Sequence, residues 1–156
     1  MLRDQSLRLG DEMTSVLKQR LTDKGYEVVV ATDVKRPPKD PDEIVFDSLP
    51  KDVDAVVVAY YENAGLLSGY SSTSYVPRLE FKIEILRRAD EESLYSQGLD
   101  YGPFLHASDE DLPVDSKYVY GNFDQVLERK TEVAECYRAG IRVLAERSVK
   151  DIPPAH

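Results

Sequence analysis

One cysteine, two histidines, two methionines and no tryptophan stand among the 156 residues. The lone thiol, Cys136, closes no intramolecular disulfide. With only His106 and the terminal His156 available, no Ser-His-Asp relay can be assembled. A single histidine is also a thin ligand set for zinc. No apolar run approaches the roughly 20 residues that cross a bilayer. The opening MLRDQSLRLG holds neither the apolar stretch nor the cleavage site of an export signal. Gly65 and Gly69 follow an apolar run, yet no Gly-Lys-Ser/Thr comes after them and their spacing is not a dinucleotide fingerprint. GLLSG therefore reads as a hairpin connection. Positive charge is scarce: 20 Lys and Arg face 29 Asp and Glu, for a net charge of −9. A phosphate backbone is repelled by such a surface unless the basic residues gather on one face. They do not, so nucleic acid is not an expected partner.

What is present suits one folded domain over 1–156. Apolar residues make up 42% and charged residues 31%, which is ordinary for a globular chain and too apolar for disorder. Leu9, Met13, Val16, Leu17 and Leu21 recur at helical spacing, with Ser6 as a candidate N-cap. Lys24-Gly25 reads as a cationic last turn followed by a C′ glycine. The β-branched run Tyr26-Glu27-Val28-Val29-Val30 predicts a strand directly after it. Helix then strand is half of a βαβ unit, and residues 1–5 are too few and too polar to supply the other half. A start further upstream in the native chain is expected on this ground. Residues 35–52 are rich in proline and charge and predict a surface connection, with Ile44, Val45 and Phe46 forming a buried turn or short edge strand within it.

Val53 to Tyr60 is almost continuously apolar, the pattern of a central strand covered on both faces. Residues 62–74 read as a Gly/Ser/Tyr loop. Leu79, Phe81, Ile83 and Ile85 then alternate with Glu80, Lys82, Glu84 and Leu86, which predicts a half-buried strand. Pro77 has no amide proton, so the start of that strand is expected on an edge or at a bulge. A turn at 89–92 and a returning strand from Leu94 to Tyr101 complete an antiparallel pair. Residues 102–120 read as a second polar loop. Asn122 and Gln125 resemble a capping box ahead of a stripe of Phe123, Val126, Leu127, Ala134, Tyr137, Ile141, Leu144 and Ala145. One helix of about 26 residues, about 39 Å long, is predicted there. The expected fold class is α/β (α+β): a mixed sheet of four to five strands packed with two long amphipathic helices.

Few side chains suggest chemistry. His106 stands near Asp109, Glu110, Asp111 and Asp115, but the loop lacks the ligand spacing of a calcium hand and reads as a solvated acidic loop. Lys35, Arg36 and Lys39 are cancelled by Asp40, Asp42 and Glu43. Cys136, with Ala139 and Val143, lies off the main stripe of the last helix. It reads as a small residue in a helix contact, between subunits in one arrangement, and Glu132 and Glu135 nearby would raise its pKa rather than activate it. Tyr60, Tyr61, Tyr70 and Tyr75, with the serines between them, make an adaptable contact surface. No metal or cofactor is implied.

The order of elements resembles a class of bacterial envelope lipoproteins. The class includes the curli secretion lipoprotein, the amino-terminal domain of TolB and lipoprotein activators of cell-wall synthases. The matching stretches are Lys24-Gly25-Tyr26-Glu27-Val28-Val29, Asp54-Ala55-Val56-Val57-Val58, Leu79-Glu80-Phe81-Lys82-Ile83 and the helix from Asn122. The resemblance implies a non-enzymatic assembly module that works through protein contacts as a homo-oligomer. It also implies a strand before the first helix and a lipid-bearing cysteine upstream of that strand. The membrane would then be reached only through the lipid anchor, at the periplasmic face of the envelope. Expected partner contacts are Tyr60, Tyr61, Tyr70, Tyr75, Pro77, Cys136 and Val143. The competing expectation is a cytoplasmic α/β small-ligand binder or enzyme with a pocket at the loop ends of its sheet.

Overall fold

A computed structural model describes residues 7–32, 34, 44–68, 73–103 and 112–155. The first helix, α1, spans Leu9–Asp23 and buries Met13, Leu17 and Leu21, as the periodicity predicts. It starts after Arg8 with no side-chain cap, and Ser6 lies outside the described residues. Its other end follows the sequence closely. Gly25 takes φ +92°, its amide donates to Thr22, and the Tyr26 amide reaches back to Leu21 at 3.1 Å. This paired closure satisfies carbonyls that a helix end otherwise leaves open.

Among the described residues three strands form one antiparallel sheet in the order β1-β2-β3: β1 Ala55–Ser68, β2 Tyr75–Arg87 and β3 Ser93–Tyr101. The α+β class holds, with fewer strands than expected and no parallel pair among them. Tyr26–Val30 takes no place in the sheet, and Val29 and Val30 stand exposed. Ile44, Val45 and Phe46 lead into a 3-10 turn, Phe46–Ser48, with Leu49 buried after it. The expected loop at 62–74 is mostly strand. Residues 62–68 extend β1 past a bulge between Tyr61 and Asn63, and only the link from Ser68 to Tyr75 joins the hairpin.

The alternation in β2 is borne out. Leu79, Phe81 and Ile83 are buried, level with Tyr101, Leu99 and Gln97 of β3. The helices lie over this face. The last helix, α3, Lys130–Lys150, packs on β2, β3 and α1. The approach is close: a Cβ on Gly140 would meet the Tyr101 ring at 2.5 Å, so glycine is what lets α3 sit down on β3. The opposite face carries the half-buried row Arg78, Glu80, Lys82 and Glu84, with Arg78 paired to Glu80.

The single helix predicted from Asn122 is two helices. A short α2, Phe123–Glu128, precedes α3, and Arg129 between them leaves helical geometry at φ −103°, ψ 35°. Its guanidinium bonds the Lys117 carbonyl at 3.0 Å and Glu132, and lies over the Tyr120 ring. The apolar stripe continues in phase across this break, and the Arg129 amide and carbonyl still bond Gln125 and Val133. The cap at Asn122 is as predicted, with Oδ1 accepting from the Gln125 amide at 2.9 Å. The Gln125 side chain reaches back to the Gly121 amide rather than to Asn122. The expected polar loop is also part of the core. Tyr118 and Tyr120 are buried, and Tyr120 and Tyr75 exchange backbone hydrogen bonds of 2.9 and 2.7 Å.

Candidate contact site

The apolar run 53–60 was expected at the centre of the sheet, and it is not there. β1 lies at the edge, its one neighbour among the described residues is β2, and none of its residues is buried. The reason lies in the helix layer. α3 packs on β2 and β3 and α1 packs on α3, and the far half of β1 meets this layer where Leu66 joins the core and the Tyr137 hydroxyl donates to the Gly65 carbonyl at 2.7 Å. Residues 55–60 lie outside that cover. Val57 is 39% exposed and Tyr60 41%.

The backbone of this segment has a readable polarity. Asp54 opposes Arg88 in the register, and its carbonyl accepts from the Arg88 amide at 2.9 Å. Alternation along an antiparallel ladder then turns Val56, Val58 and Tyr60 toward β2, and the amides and carbonyls of Ala55, Val57 and Ala59 outward. Among the described residues no strand lies on that outer side. Proline, lysine and inward charge are the usual ways to blunt such an edge. Residues 55–61, AVVVAYY, contain none of them.

The other expected contacts scatter. Tyr60 stands on the exposed stretch. Tyr61 turns inward, with its hydroxyl toward the Leu9 carbonyl and its ring 5.6 Å from Phe81, and burial raises its pKa. Tyr75 is half-buried in edge contact with Phe123, and Tyr70 lies outside the described residues. Pro77 is corrected: it is fully buried in the central strand, opposite Leu66. Tyr75 bonds Tyr120 on the β3 side, so alternation sends the Pro77 nitrogen to that side as well. There it falls between the end of β3 at Tyr101 and the bridge at Tyr120, where no donor is required.

Cys136 is corrected too. It is wholly buried inside the chain, 3.8 Å from the Tyr101 hydroxyl, and takes no part in a surface contact. Burial pushes its thiol up to about 11, which makes it inert at neutral pH. The glutamates expected to act on it do not, and Glu132 pairs with Arg129 instead. The Tyr120 hydroxyl is buried nearby with no hydrogen-bond partner among the described residues, and burial lifts its pKa to about 12. Val143 is exposed and lines an open cleft of about 610 Å³ between α1 and α3. The cations at one end of this cleft are engaged: Lys24 donates to the carbonyls of Lys150, the last residue of α3, and of Ile152 beyond it, and Arg20 pairs with Glu146.

Of the acidic loop, His106 and residues 109–111 lie outside the described residues, and Asp115 caps the turn Ser116–Tyr118. Among the described residues no group of three His, Cys, Asp or Glu side chains is placed to hold a metal ion. No described helix is long and apolar enough to cross a membrane. No family model matches the chain, and no curated protein or solved structure is detectably similar to it. The outward-facing residues Ala55, Val57 and Ala59 were missed as contacts. Their signal in the sequence was the absence of any charge or proline from a strand-forming run.

Proposed function

We propose that this chain is a non-enzymatic cell-envelope domain that serves assembly or scaffolding through protein contacts made at the β1 edge. The observation that carries the contact role is that edge itself. Over 55–61 it is an uncharged, valine-rich strand whose outer side pairs with no described strand and which lacks the residues that ordinarily discourage strand addition. Strand addition uses main-chain hydrogen bonds for affinity and alternate side chains for selectivity, and AVVVAYY offers both. The envelope setting rests on the resemblance of the sequence to the assembly lipoproteins named above, through the stretches Asp54–Val58 and Leu79–Ile83 that lie at the start of β1 and within β2.

The reading is tested by the intact mass and fractionation of the protein as its own cell makes it. A membrane-bound species heavier than 17.7 kDa, with an acylated cysteine ahead of Met1, is the expected result. A species confined to the cytoplasm and starting at Met1 overturns the envelope assignment.

A further inference from the structure

The occupant of the β1 edge can be argued from the edge alone. It must be an extended, uncharged strand with apolar side chains on both faces, because residues 55–61 carry no charge on either face. The molecule itself presents such a strand, and two copies can pair about a twofold axis. We infer that β1 pairs antiparallel with β1 of a second copy, centred on Val57, joining two three-stranded sheets into one. This rests on the reading of β1 as a contact edge and names its partner.

Charge, strand length and the bulge select the register: an axis at Val56 pairs only residues 55–57 within the strand, and one at Ala59 runs into the bulge after Tyr61. Outward-facing residues must oppose outward-facing residues, so the axis passes through a residue rather than between two. An axis at Val58 sets Asp54 against Glu62 of the other copy at both ends, and like charges directly opposite are destabilising. An axis at Val57 moves Glu62 opposite Asp52, ahead of the first strand residue Ala55, and keeps the paired stretch 54–60 free of opposed like charges. It sets Val57 against Val57, Val56 against Val58 and Ala55 against Ala59, and leaves Asp54 opposite Tyr60. Each of these pairs but the last is apolar, and Val57 and Tyr60 are already exposed and in need of cover.

A contact of one short strand falls below the roughly 1,600 Å² of a standard interface, so the dimer is a weak one. Each copy also carries a net charge of −9. Repulsion between the two bodies is screened over about 8 Å at physiological ionic strength. The dimer therefore tightens as salt is added, opposite to an interface held by ion pairs.

Sedimentation equilibrium of the full chain from low micromolar to millimolar concentration, at low and high salt, tests the inference. A monomer–dimer equilibrium that shifts toward dimer with salt is expected. Val57→Lys and Val57→Glu should each weaken it by about tenfold or more, since like charges then meet on the axis. Mixing the two variants should restore a dimer, because only the Val57-centred register brings these side chains together. Recovery on mixing also shows that both variants are folded. A chain that stays monomeric, a ladder of higher oligomers from a head-to-tail contact, or variants that dimerise like the parent each overturn self-pairing. Those outcomes leave the envelope reading to its own test, which is read from mass and fractionation.

Discussion

β3 and β1 bound the same sheet and are finished in different ways. β3 is the shorter, Ser93–Tyr101, and carries Ser93, Ser96, Gln97, Gly98 and Asp100 among its residues. Its end is tied down on the outer side. The Leu112 amide donates to Asp100, the Leu112 carbonyl accepts from Gly102, and the Tyr95 hydroxyl reaches the Ser148 carbonyl of α3. β1, Ala55–Ser68, is longer and more apolar, and among the described residues no strand pairs with the outer side of 55–60. Edge protection is thus a local provision. One flank of the sheet is tied at its end by a turn and touched by a helix, while over 55–60 the other has no strand on its outer side among the described residues.

The comparison can be broken at several depths. The largest effect is expected beneath the helices. Phe81→Ala should cost about 3–5 kcal/mol, because a fully buried ring leaves a cavity, whereas Val57→Ala on the open flank should cost less than about 1 kcal/mol. Urea unfolding of the two variants reads the contrast, and equal losses would mean that β1 is covered. Next, Gly140→Ala should cost about 1–3 kcal/mol, since its methyl enters the Tyr101 ring and lifts α3 from β3. A shifted urea midpoint with unchanged slope is the expected signature.

An alkaline test follows. The Cys136 thiol titrates near 11 in the folded chain, above its ordinary value of 9.0. Between these values the unfolded chain gives up its proton first and so binds fewer protons than the native one, and stability falls as pH rises. The loss is on the order of 2 kcal/mol across that window. It is fully avoided below pH 9, and Cys136→Ala should flatten the thiol's part of the slope in urea titrations at successive pH values. The smallest expected effect on stability belongs to Val57→Lys, within about 0.5 kcal/mol as for other surface changes, although the same change should weaken self-association by about tenfold or more.

These contrasts also mark what could be read in the sequence. β2 was legible because a strict period of two has one interpretation: a strand with one wet face. α1 was legible from its stripe and from Lys24-Gly25, whose geometry is local. Residues 53–60 misled because a run with no wet side fits a buried strand and an adhesive edge equally well. What lies beside a strand is set by the rest of the chain. Pro77 misled in a similar way, since the gap that excuses its missing donor is made by residues more than twenty positions away, Tyr101 and Tyr120. The break at Arg129 left no trace in the apolar stripe, which continues in phase from α2 into α3. Tyr118 and Tyr120 sat in a polar, proline-bearing stretch and were read as loop, yet they close the core beside β3. Of the site itself, the tyrosines were visible in the sequence, and the outward valine and alanines became candidates only when β1 was placed at the edge.

The central claim is that the outer backbone row of β1 is open. Amide hydrogen exchange, followed residue by residue by NMR on dilute protein, tests it most directly. The account predicts alternation: Val56, Val58 and Tyr60 protected by β2, and Ala55, Val57 and Ala59 exchanging rapidly. Slow exchange at all six positions in the dilute monomer would contradict it, because the chain would then be covering its own edge.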